Sequence, residues 1–161
     1  MIRLIAAIDS RRGIATDSGI PWTLPDDSAY FRAKTSSGLI VMGRATYDEF
    51  AAPLHDRDNF VISTASAPLR KGLVVVTSLD QLRAAHPDED VWVIGGASVY
   101  SETIGQADEL LLTQVRGDFG CTKFFPPYRA AFTLQSQSED HQEGGVTYQF
   151  ETWRPLATAS P

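Results

Sequence analysis

In Gly19-Ile20-Pro21-Trp22-Thr23-Leu24-Pro25-Asp26-Asp27-Ser28-Ala29-Tyr30-Phe31, two prolines bracket an indole and a pair of carboxylates follows at once. Pro25 stands where a helix should begin, because a first helical turn has no use for the N–H that proline lacks. Leu24, Asp27, Ser28, Phe31 and Thr35 then recur at three- and four-residue spacing and share one helix face. That face carries apolar residues with one carboxylate among them. An acid held against Phe31 loses hydration, its pKa rises, and it becomes a candidate proton donor. Asp26 and Asp27 equally fit the plain role of first-turn acids that complement the helix macrodipole. Spacing does not settle which of the two does what.

Two further stretches could hold an anion. Met42-Gly43-Arg44-Ala45-Thr46 and Ile94-Gly95-Gly96-Ala97-Ser98 each end an apolar run in glycine and pass into a helix. Backbone N–H groups are then open to a ligand with no side chain in the way. Neither matches G-x-G-x-x-G or the Walker loop, so a standard Rossmann or kinase-like site is not expected. Together they could hold the pyrophosphate of a dinucleotide. Arg44, Ser63 and Thr64 could gather around an extra phosphate on its adenosine ribose, which would favour NADPH over NADH. Arg57, between Asp56 and Asp58, is either a surface ion pair or a bidentate clamp on a substrate carboxylate. Thr113 lies in an apolar run as a plain β-former or as the partner of a buried acid. His55, His86 and His141 are scattered without ligand spacing, so no metal site is expected, and the single Cys121 allows no internal disulfide.

These groups need a frame. Apolar runs at 2–8 and 39–42 read as buried strands, those at 59–62, 73–76, 91–94 and 110–115 as further strands, and 132–138 with 147–153 as a closing pair. Helices are predicted from Pro25, from Gly43 through Phe50, over 79–85 behind Ser78 or Asp80, and after Gly96. Residues 11–19 read as a loop, a candidate cover for the site, and 139–145 as the polar loop of the closing pair. Strands alternating with helices imply right-handed parallel crossovers. The expected fold is a single α/β domain over residues 1–161: a mainly parallel sheet of about eight strands with an antiparallel C-terminal edge, flanked by about four helices. The tail from about residue 155 is expected to fray. In such sheets ligands gather outside the carboxyl ends of the strands.

Composition narrows the function classes. The 161 residues, 43% hydrophobic and 21% charged, are those of an ordinary globular domain. A net charge of -6 argues against non-specific nucleic-acid binding and against an anionic membrane surface. The apolar start at residues 1–8 is too short to span a membrane and lacks the parts of a signal peptide, so a cytoplasmic location is the expectation.

The residues resemble the dihydrofolate reductase family along nearly the whole chain. The carrying stretches are Leu4-Ile5-Ala6-Ala7, Pro21-Trp22-Thr23-Leu24-Pro25 with Asp27 and Phe31, Val41-Met42-Gly43-Arg44 with Thr46, Val93-Ile94-Gly95-Gly96 with Val99-Tyr100, Leu112-Thr113, and Phe125-Pro126. The resemblance implies hydride transfer from NADPH to C6 of 7,8-dihydrofolate, with a proton reaching N5. It makes Asp27, with Trp22 and Thr113, the catalytic group. It lines the substrate slot with Ile5, Ala6, Ser28, Phe31, Arg32, Phe50, Leu54, Ile94 and Tyr100, and sets Arg57 on the glutamate tail. It flanks the nicotinamide with Ala6, Ala7, Ile14 and Ile20. The rest of NADPH falls to Gly43, Arg44, Ala45, Thr46, Ser63, Thr64, Thr77 and the run Ile94, Gly95, Gly96, Ala97, Ser98, Val99 and Tyr100. The Gly95–Gly96 bond is expected to be cis, the loop 9–23 to close over the site, and the chain to be a monomer that binds folate analogues.

Some positions depart from the family pattern. Ser28 replaces an apolar slot residue, and Ala45 and Ser98 replace basic or larger groups near the cofactor phosphates. Ala52 offers no second cation for the substrate tail. Ala15 replaces a glycine of the closing loop, and Gly120-Cys121-Thr122 lacks the aspartate of its partner loop, so altered loop closure is expected. Two alternatives compete: a same-fold reductase of riboflavin-pathway or other pterin-like substrates, which Asp27 counts against, and a pterin- or nucleotide-binding module without turnover.

Overall fold

The computed structural model describes residues 1–49, 53–64 and 72–157. Its frame is set by a run of parallel apolar strands. β1 (Ile2–Ile8), β3 (Leu39–Gly43), β4 (Asp58–Ile62), β5 (Leu73–Val76), β6 (Val91–Val93) and β7 (Glu109–Val115) all run parallel. In β1, β3, β6 and β7 the apolar runs are continuous because both sheet faces are covered, whereas at the edge strand β5 Val74 and Val75 are exposed. Alternate residues serve opposite faces: Leu4, Val41, Leu110 and Leu112 enter one core cluster, while Ile5, Ile40, Met42 and Leu111 enter the other.

The helices follow their local signals. α1 (Pro25–Lys34) has proline in its first turn and stops at Thr35, whose hydroxyl donates to Phe31 O at 2.8 Å. α2 (Arg44–Glu49) leaves directly from β3. α3 (Leu79–Ala85) is capped by Ser78, which accepts from Gln81 N, so Ser78 and not Asp80 starts it. α4 (Ala97–Thr103) begins beyond Gly95–Gly96, whose peptide bond is cis. The predicted end of α2 at Phe50 lies outside the described residues, as does Ala52.

The sheet is eight strand positions across, in the order β10-β11-β7-β1-β6-β3-β4-β5. At its antiparallel edge β11 (Val146–Pro155) is long enough to pair with β7 on one side and with two strands on the other. β10 (His141–Glu143) takes one end of that side and β9 (Phe132–Gln137) the other. The stretch 139–145 is therefore not a plain loop: its three polar residues His141 to Glu143 form a hairpin strand that no apolar alternation announces. The stretch 11–19 is likewise more ordered than expected. β2 (Gly13–Ala15) pairs with β8 (Lys123–Phe124), and Thr16 bridges Gly19. Each of these pieces is too short to show a period.

Because β1, β3 and β6 are adjacent and parallel, their carboxyl ends open at one edge. α1, α2 and α4 start beside that edge, and the β2–β8 ribbon lies along it.

Candidate active site

That edge is cut by a cleft of about 820 Å³, in the range of a small-molecule site. Ile5, Ala6 and Ala7 of β1 line it, with Phe31, Leu54 and Ile94 on its apolar walls. α1 contributes no fully buried residue, since the face predicted to look inward looks into this cleft.

Asp27 projects from the first turn of α1 into the cleft, and the Thr113 hydroxyl donates to its Oδ1 at 2.6 Å. Thr113 is placed by register: it pairs with Ala7 of β1 and with Phe150 of β11 in the middle of the sheet. Burial pushes the Asp27 pKa up; the Thr113 donor opposes this, and the nearby Glu143 charge adds to it. The neighbouring Asp26 is exposed and does not line the cleft. The two acids that spacing left undivided are thus separated by direction. One carboxyl inclined toward its neutral form, in a wall of aliphatic and aromatic groups, can hydrogen-bond as donor or acceptor and move one proton.

The two glycine corners meet on the other wall. Gly43 N donates to Gly95 O at 2.7 Å. A Cβ on Gly43 would stand 2.6 Å from Val99 Cγ2, and Cβ atoms on Gly95 or Gly96 would stand 3.1 and 3.2 Å from Thr46 Oγ1. Gly95 has φ +131, a conformation that favours glycine. The Tyr100 hydroxyl is fully buried and donates to Ile5 O at 2.6 Å, and burial drives its pKa far up. Tyr100 therefore bolts α4 to β1. Arg44 stacks on the Tyr47 ring at 4.9 Å and pairs with Asp48 at 3.1 Å, with its guanidinium at the cleft rim.

The remaining predicted positions divide cleanly. Ile14, Ile20, Trp22, Ser28, Arg32, Ala45, Thr46, Ala97 and Ser98 also line the cleft. Val99 does not: it is 4% exposed and packs in the core against Gly43. Ser63 and Thr64 after β4, and Thr77 after β5, lie at the same sheet edge but beyond the lining; Thr77 spends its N–H and hydroxyl on Gln81 Oε1. Arg57 also lies outside the lining. It forms no ion pair with Asp56 or Asp58; instead it donates to Thr35 O, His55 O and Arg32 O at 2.7, 2.7 and 2.8 Å. Phe50 is outside the described residues.

Sequence reasoning did not place Ala15, Thr23, Leu24, Tyr30, Glu49 or Lys123 in the site, and all six line the cleft. Tyr30, three residues after Asp27, was legible from helical spacing; it stacks on Phe150 at 4.0 Å. Burial, with the Asp27 charge, pushes its pKa up to about 12. Lys123 arrives through the unforeseen β2–β8 pairing.

The cover is pinned by a buried acid, Asp9, at 1% exposure. Its carboxylate accepts from Gly13 N, Arg11 N and Phe119 N at 2.7, 2.9 and 3.1 Å. Burial alone would raise its pKa, but these N–H donors hold it below the ordinary value. Thr122 donates its N–H to Ala15 O and its hydroxyl to Asp17 Oδ1, both at 2.9 Å. In this contact the acid stands on the 9–23 side and the donor on the other, while across the same pair Arg11 meets Asp118 at 3.6 Å. Trp22 packs edge-on to Phe119 at 5.2 Å beneath the cover.

The dihydrofolate reductase family model matches residues 1–154. A dihydrofolate reductase of Bacillus subtilis (strain 168) is 35% identical over 94% of this chain and 91% of its own length. A type 3 dihydrofolate reductase of Salmonella typhimurium is 37% identical over 80% of each chain. A solved dihydrofolate reductase from Enterococcus faecalis, complexed with NADP(H) and RAB-propyl, superposes with a TM-score of 0.86 at 23% identity, covering 98% of this chain and 97% of that one. The match along 154 residues and the order of motifs around the cleft agree: the chain belongs to the dihydrofolate reductase family.

Proposed function

We propose that this protein reduces 7,8-dihydrofolate to 5,6,7,8-tetrahydrofolate, with NADPH as the hydride donor, C6 as the hydride acceptor and N5 as the site of protonation. The observation that carries this reading is the Asp27 carboxyl, held by Thr113 and inclined to its neutral form inside an apolar cleft. When bound, NADPH supplies the hydride. The residues present fit it: the corners at Gly43 and Gly95–Gly96 are bare backbone, and Arg44 and Lys123 bring positive charge to the same cleft.

The chain's own part is binding, orientation, dryness and one proton. Asp27 takes the 2-amino group and N3 of the pterin, and raises N5 basicity or relays a proton through a water that Trp22 helps to order. Ile5, Phe31, Leu54 and Ile94 exclude water from the ring, which strengthens every polar contact made there. Ala6, Ala7, Ile14 and Ile20, which line the cleft, would hold the nicotinamide, and holding it would turn an encounter of two molecules into a positioned one. Arg44 would take the ribose phosphate, with Ser63 and Thr64 along the same sheet edge, while the donors of Thr77 are already spent on Gln81. Arg57 has three N–H groups committed to backbone carbonyls; its two others are left to grip a carboxylate of the substrate tail. The reaction serves one-carbon metabolism and thymidylate synthesis, in a cytoplasmic monomer that folate analogues inhibit.

The test is direct. Purified protein, NADPH and dihydrofolate are mixed, and the absorbance of the reduced nicotinamide is followed. Steady decay that depends on both substrates is the expected result. Ligand binding without decay would mean a pterin- or nucleotide-binding module instead.

A further inference from the structure

Helix α1 begins without a cap of its own. Leu24 holds the N-cap position and offers no acceptor, although the first N–H groups of a helix need partners. One partner comes from 117 residues away: Asp26 N donates to Glu143 Oε1 at 3.1 Å. The same oxygen accepts the buried Tyr148 hydroxyl at 2.5 Å. Glu143 closes β10, is half-buried, and stands opposite Val146 in the hairpin ladder. A second tie between the same helix and the same hairpin is the Tyr30–Phe150 stack.

We propose that Glu143 is a positioning residue for the acid: reaching across from the β10–β11 hairpin, it caps α1 and fixes where the Asp27 carboxyl stands and which charge it faces. The proposal deepens the reductase reading by adding a group that touches neither substrate nor cofactor. Two observations support it. A carboxylate is well placed at a helix N-terminus, where N–H groups and the macrodipole attract it. Its charge also adds to burial in disfavouring ionisation of Asp27. The other titratable groups around this pair are Asp26 beside Asp27 on α1, Tyr30 one turn on, Tyr148 of β11, and His141 of β10, which stacks on Tyr148 at 5.4 Å. Among all these groups Asp26 and Glu143 are the two carboxylates beside Asp27 at this end of the helix.

The experiment compares Glu143→Gln and Glu143→Ala in the full chain. Glutamine keeps an acceptor oxygen for Asp26 N–H and removes the charge; alanine removes both. The first readout is the NMR titration of the ¹³C-labelled Asp27 carboxyl without ligands. Its midpoint is expected to move to lower pH in both variants, further in Glu143→Ala. The second is hydride transfer at pH 7.5, expected to fall about three- to tenfold in Glu143→Ala, the size of one lost cap, with NADPH affinity unchanged within about twofold. Glutamine should recover most of that rate at pH 6. Titration curves in both variants that coincide with the unmodified protein would overturn the proposal, whatever happens to Tm. Should Glu143→Ala not fold, the glutamine titration decides alone. A protein without dihydrofolate turnover would remove the reductase reading and still leave the titration to judge Glu143.

Discussion

At the scale of single residues, Asp27 and Arg44 bear the two most specific expectations. The fold raises the pKa of Asp27 above its usual 3.8. A carboxyl raised in the folded state contributes stability that is full below its unfolded pKa and is lost as pH rises through the folded value. Asp27→Asn removes that loss while still accepting the Thr113 hydroxyl. Its Tm should exceed that of the parent at pH 8, with the gain vanishing toward pH 4. Its turnover should fall about 10²–10³-fold at neutral pH with NADPH affinity nearly intact; loss of NADPH binding would displace Asp27 from the acid's role. Arg44→Ala should weaken NADPH about 10–100-fold, the worth of a charge-assisted phosphate contact, and NADH much less. Equal weakening of the two cofactors would take Arg44 off the ribose phosphate. Asp27, Thr113 and Arg44 were legible because proline, glycine and an apolar run mark their surroundings. Arg57 was only half legible: its guanidinium partners are backbone carbonyls, which leave no trace in side-chain identity.

At the scale of elements, the β2–β8 ribbon and the loops that Asp9 joins form the cover. A Cβ on Gly13 would stand 2.4 and 2.7 Å from Cys121 Cβ and Sγ, and 2.9 Å from Asp9 Oδ1. Gly13→Ala should therefore push the two loops apart, costing about 1–3 kcal/mol and slowing hydride transfer. Adding Cys121→Gly removes two of those three contacts and should restore most of both. A double variant no better than the single one, in thermal unfolding and turnover, would show that the loops are not held by this packing. The ribbon escaped sequence reading because two- and three-residue strands show no period, and because Asp9 finds its Phe119 donor 110 residues along the chain. Glu143 was hidden for the same reason. The long buried strands needed no such partners to be recognised: continuous runs of Ile, Leu and Val state their burial directly.

At the scale of the whole molecule, both walls of the cleft are carried by one sheet and the helices packed on it, so a ligand between them should stabilise the domain as a unit. NADPH at about 100 times its Kd adds about 2.7 kcal/mol, which for a domain of this size raises Tm by roughly 6–10 °C. NADH at the same concentration should raise it less. No change with either nucleotide would mean that the glycine corners hold something else. The order of strands across the sheet has a further consequence, for synthesis. β1 leaves the ribosome before β6 and β7, yet it ends between them in the sheet, and Asp27 must wait for Thr113 and for the hairpin that carries Glu143. A nascent chain halted before β7 carries the reactive side chain already made and nothing to hold it. Activity should therefore switch on abruptly once β11 has been added, with no partly active fragment on the way.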